Sequence, residues 1–133
     1  MLCVLAAAMP LIAGCGGSGG GSTSSPSSTV RTYLTSVANG DGAAACGALA
    51  PTVRATILQE ARAQKIKASS CANLFAQVKS HMTATQRKQF LGAKLSLASM
   101  NGNTATVNVA GASSQPTLTK VGGRWLITGG IGL

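Results

Sequence analysis

Residues 93–109, "AKLSLASMNGNTATVNV", decide the fold class. On either side of Asn101-Gly102-Asn103 the residues alternate between apolar and polar. A period of two is that of a strand with one face buried, and Asn-Gly between two such runs is a strong signal for a tight reversal. The stretch therefore predicts a β-hairpin. Residues 115–129, "QPTLTKVGGRWLITG", repeat the pattern, with Gly122-Gly123 at the reversal. Two successive hairpins make an antiparallel meander.

Upstream of Gly92 the period lengthens to that of a helix. Val30, Tyr33, Leu34 and Val37 form an i, i+3, i+4, i+7 stripe over Thr29–Asn39, which Asn39-Gly40 ends. Asp41 is placed to cap a second helix, "GAAACGAL". Pro51 opens a third, whose apolar face is Val53, Ile57, Leu58 and Ala61. A fourth, capped by Ser69 or Ser70, carries Cys71, Leu74, Phe75, Val78 and Met82 on one face. Thr83-Ala84-Thr85-Gln86 reads as a capping box for a short helical turn through Phe90. Helices first and a meander second predict an α+β domain, with N-terminal helices packed on one face of a curved antiparallel C-terminal sheet.

The composition suits one small domain: 133 residues, 45% hydrophobic and 10% charged. Eleven Lys and Arg oppose two acids, Asp41 and Glu60, for a net charge of +9. That balance favours polyanionic partners such as anionic lipid head groups or acidic wall polymers. Nucleic acid ranks low, because the basic residues are dispersed and no aromatic residues are interleaved with them.

The N-terminus supplies an address. Residues 2–14, "LCVLAAAMPLIAG", are apolar and uncharged, the length of a signal-peptide core rather than of a membrane span. They end in Ile12-Ala13-Gly14-Cys15, which resembles a bacterial lipobox: a branched aliphatic residue, two small residues, then the cysteine that takes the diacylglyceryl group. Gly16–Ser28 is a Gly/Ser/Thr tract with the composition of a flexible tether. The implied organisation is a signal peptide over 1–14, lipidated Cys15 and linker over 15–28, and a domain over 29–133. No Lys or Arg precedes the apolar run, which implies a truncated start or one upstream of Met1. The implied location is the outer face of the bacterial cell membrane.

Processing also settles the cysteines. Cys3 leaves with the signal peptide and Cys15 carries lipid, so Cys46 and Cys71 remain, and outside the cytoplasm the default for such a pair is a disulfide. A bridge closing that loop contributes about 3.5 kcal/mol by loop entropy. With His81 as the one histidine and no Cys-x-x-Cys, no metal or other cofactor is expected.

"VRTYLTSVANGDGAAACGALAP", a Cys-bearing helix, "NGNTATVNV" and "KVGGRWLITGG" together resemble small actinobacterial lipoproteins of the nuclear transport factor 2-like superfamily. The likeness spans most of residues 30–131. It implies a cone-shaped fold, its sheet wrapped around a long helix, with Trp125 and Ile127 pointing into the core and Asp41 at a turn. A cone filled by Leu95, Leu97, Val107, Trp125 and Ile127 would leave no interior pocket.

Some members of that superfamily isomerise or dehydrate small apolar ligands inside the cone, using acid–base groups. The weak catalytic candidates here are His81, Asp41 and Glu60, with Tyr33 behind them. Each has a simpler reading: Asp41 as a helix cap, Glu60 as a solvated residue, His81 beside the last carbonyls of its helix, Tyr33 in the core stripe. The expected function is a membrane-anchored, non-catalytic domain that binds a ligand or an envelope partner. The alternatives are an isomerase- or cyclase-like enzyme with a pocket in the cone, and a binder of anionic polymers or lipid head groups through Arg87, Lys88, Lys94 and Lys120.

Overall fold

The computed structural model describes residues 24–131. The signal-peptide and lipidation readings on residues 1–14 and on Cys15, and most of the linker, lie outside them. Five helices precede four strands, in the α+β order expected: α1 Pro26–Asn39, α2 Gly42–Gly47, α3 Pro51–Ala63, α4 Cys71–His81, α5 Ala84–Leu91, β1 Leu95–Asn101, β2 Thr104–Val109, β3 Thr117–Val121 and β4 Arg124–Gly129. The strands form one antiparallel sheet in the order β1-β2-β3-β4.

Helix α1 starts three residues before the expected Thr29. Pro26 occupies the first turn, where its missing N–H costs nothing, and the Ser25 hydroxyl accepts from the Ser28 N–H in a reciprocal capping box. The serines that gave this segment the look of a linker are its cap. The expected stripe of α1 buries Val30, Tyr33 and Val37, while Leu34 is half-buried. Thr29, wholly buried, donates its hydroxyl proton to the carbonyls of Ser25 (3.1 Å) and Trp125 (3.0 Å), which ties α1 to β4 without leaving a buried polar group unpaired.

Asp41 caps α2 as expected, its Oδ1 accepting from the Ala44 N–H at 3.1 Å. Cys46 and Cys71 form a disulfide with a Cα–Cα separation of 6.1 Å, joining α2 to the first turn of α4. The two helices touch closely there. A Cβ on Gly42 would lie 2.1 Å from the Ala72 carbonyl oxygen, so this position has no room for a side chain. Ser70 caps α4, and Thr83 with Gln86 forms the expected box at α5.

The core lies between the helices and one face of β2–β4. Phe75, Leu74, Leu49, Leu118, Ile127, Val30 and Val107 are its largest fully buried apolar side chains, with Trp125 just short of that. Tyr33 meets Phe75 edge to face, ring centroids 5.8 Å apart at 86°, and burial pushes the Tyr33 phenol up to about 12. Between β3 and β4 the chain reverses on Gly122 (φ 58°) and Gly123 (φ 77°), two consecutive left-handed residues of the kind that match the twist of a hairpin.

Two features depart from simple alternation. First, Ala48-Leu49-Ala50, of which Ala48 and Leu49 were expected as the tail of the second helix, runs alongside β4. The Ile127 N–H donates to the Ala48 carbonyl and the Ala50 N–H donates to the Ile127 carbonyl, both at 2.9 Å, with Leu49 in a parallel bridge to Ile127. This segment covers the centre of the β4 edge. Second, β1 shifts register between Leu97 and Ser99. Strict alternation would turn Met100 to the face opposite Leu97. The bulge at Ala98 instead sets Leu97 opposite Val107 and Met100 opposite Ala105, both on the core side of the sheet. They are nevertheless about half exposed, Leu97 at 48% and Met100 at 50%. Trp125 and Ile127 lie in the core as expected; of the other residues whose packing would fill the interior, Val107 is buried there, Leu95 packs on its margin, and Leu97 does not join it.

Candidate binding cleft

The basic candidates separate into two places. Lys88, near the end of α5, and Lys94, just before β1, line one cleft of about 500 Å³. Leu34 of α1, Phe90 of α5 and Val109 of β2 supply its apolar lining; all three are half-buried and pack on the margin of the core. Arg87 lies one residue from Lys88 but turns to α1, its Nη2 donating to Asn39 Oδ1 at 3.1 Å. Lys120 sits elsewhere. It follows Thr119, which pairs with Thr104 at the Asn101 end of the first hairpin, roughly 20 Å along the strands from Lys94.

The cleft is shaped by a contact that the sequence pattern does not announce. The Arg31 guanidinium donates to the Leu91 carbonyl at 3.4 Å and to the Ala93 carbonyl. It thereby ties the link between α5 and β1 to α1, between the cleft-lining residues Phe90 and Lys94 in the chain. A backbone carbonyl carries no sequence signature, so these acceptors cannot be read from residue types.

A second, shallower depression of about 650 Å³ lies at the α3–α4 loop, lined by Arg62, Lys65, Lys67, Ile66, Ser69 and Asn73. Its available signal was the basic alternation in "RAQKIK", residues 62–67. Lys65 adopts a left-handed backbone (φ 62°) there, and the Gln77 amide donates to the Lys67 carbonyl at 2.6 Å.

The acid–base candidates are not gathered in either cleft. Asp41 is the α2 cap, Glu60 is exposed on α3, His81 is exposed at the last residue of α4, and Tyr33 is in the core. Among the described residues no group of three or more His, Cys, Asp or Glu could hold a metal ion, and no helix is long and apolar enough to cross a membrane. Comparison of the chain with protein-family models, with curated proteins and with solved structures finds no match.

Proposed function

We propose that the protein is a lipoprotein anchored through Cys15 to the outer face of a bacterial membrane, and that its nuclear transport factor 2-like domain binds an amphiphilic anion rather than catalysing a reaction. The observation that carries the binding role is the cleft at α1, α5 and β2: an apolar lining of Leu34, Phe90 and Val109, with Lys88 and Lys94 beside it. An apolar body would be desolvated against the former while an anionic head meets the latter. The address is supported by Ile12-Ala13-Gly14-Cys15, by the tether that follows, and by a Cys46–Cys71 disulfide of the kind that persists in an oxidising compartment.

Titration with a dansyl-labelled undecanoate tests the cleft. Two exposed charge pairs at about 0.5 kcal/mol each make the Lys88→Ala/Lys94→Ala protein about five-fold weaker at low salt. Phe90→Asp should abolish the probe signal. Probe binding unchanged in both variants would refute the site. Cys15→Ser should release the protein from the membrane fraction, and continued attachment would refute the anchor.

A second reading, docking on anionic head groups, draws on Arg62, Lys65 and Lys67 around the other depression. It requires binding to anionic vesicles that falls steeply with salt and is lost on reversing those three charges.

A further inference from the structure

The sheet has two edges, and the chain treats them differently. At β4 the Ala48–Ala50 segment satisfies both main-chain groups of Ile127. At β1 no described element pairs with the outer side. Unpaired edges are association-prone, and soluble proteins blunt them with charge, proline or a covering element. Strand β1, "LSLASMN", has neither a charged residue nor a proline. Its one irregularity, the Ala98 bulge, turns Met100 onto the same face as Leu97, where both lie beyond the helical cover. The result is a bare edge flanked by two half-exposed apolar side chains.

We infer that β1 is the interface through which two copies of this chain pair, edge to edge and antiparallel about a two-fold axis, joining their sheets into one of eight strands. Charge argues for a second copy as the occupant. In a chain of net +9, β1 is a seven-residue stretch free of charge, so two copies can meet there with the least repulsion, and an acidic partner finds no cation within it. Antiparallel pairing centred between Ala98 and Ser99 sets Leu97 against the partner's Met100 on both sides of the axis, so each apolar side chain covers the other. It also places each Lys94 near the far end of the opposite strand, away from its own counterpart. Such a contact is isologous and closes at two copies. It does not depend on what the cleft binds.

The test is site-specific crosslinking of the full chain in membranes. Ser99 lies on the sheet's outer face, close to the inferred axis, and is exposed. Ser99→Cys should give a disulfide-linked dimer on mild oxidation, whereas Thr119→Cys, on the same face but two strands away, should not exceed the unsubstituted chain. Adding Leu97→Lys to Ser99→Cys should return the crosslinked fraction to the Thr119→Cys level. Because Leu97 lies outside the core, that variant should keep the circular-dichroism spectrum of the unsubstituted chain, which separates a lost interface from a lost fold. A dimer that survives Leu97→Lys would overturn the inference, as would a Ser99→Cys yield equal to that of Thr119→Cys. Crosslinking of the thiol introduced by Ser99→Cys to a chain of different mass, or to Cys3 or Cys15 of its own chain, would give the edge to another occupant and overturn it equally.

Discussion

The β4 edge and the β1 edge belong to one sheet of four strands, yet one is sealed and the other bare. Beside β4, Leu49 and Ile127 are wholly buried, and two hydrogen bonds close the main chain between them. Along β1, Leu95 alone reaches the core margin, and Leu97 and Met100 stand half in water. Both strands turn apolar side chains to the core side of the sheet, Trp125 and Ile127 on β4 and Leu95, Leu97 and Met100 on β1. What separates them is the cover available from the helical half, whose packing leaves no side chain over the far part of β1. An alternating strand thus states which face is apolar, not whether anything covers it.

Three variants would sharpen or break this contrast. Leu49→Ala should cost about 2–5 kcal/mol in chemical denaturation, because it opens a cavity at the sealed edge, while Leu97→Ala should cost less than about 1 kcal/mol. Equal losses would mean that the two edges are alike. Next, replacing Cys46 and Cys71 together by Ser should lower stability by about 3.5 kcal/mol, the loop-entropy value for residues 25 apart. The bridge holds α2, the helix that leads directly into the edge-covering segment, so loss of protection at the Ile127 amide in hydrogen exchange should accompany it.

The last effect is absent at neutral pH and appears only in alkali. Tyr33 is the single tyrosine in the chain, and its phenol ionises near 10 when unfolded but is pushed up to about 12 by burial. A raised folded value means the native state keeps its proton where the unfolded state loses it. The contribution is complete below pH 10 and is lost as pH rises from about 10 to about 12, with a slope of at most about 1.4 kcal/mol per pH unit. Tyr33→Phe should flatten that limb of the stability curve. A tyrosinate signal that rises at an ordinary phenol value in the folded protein would show the core beneath α1 to be open.

Most of the elements were legible because their signals are local. Asp41 and the Thr83–Gln86 box announced helix starts, and Asn101-Gly102 and Gly122-Gly123 announced reversals. The start of α1 was obscured because Ser25 and Ser28 serve a cap and a linker equally well. Ala48-Leu49-Ala50 was illegible as an edge cover, since three good helix formers reveal nothing of hydrogen bonds made to a strand near the other end of the chain. The Ala98 bulge was hidden inside a run that alternates well enough to pass as regular. At the cleft, composition identified Lys88 and Lys94 as basic candidates, but only folding separates them from Lys120 and turns Arg87 toward Asn39.

The bridge between Leu49 and Ile127 also bears on the order in which the molecule is built. Each C-terminal hairpin closes over a loop of a few residues, whereas the strip beside β4 must wait for partners 78 positions apart (127 − 49). Loop-closure entropy makes such a contact late, so the meander passes through a stage in which both of its borders are open. Only one is later closed from within the chain. In kinetic terms, Leu49→Ala should hasten unfolding and leave the folding rate nearly unchanged, the signature of a seam joined after the rate-limiting step.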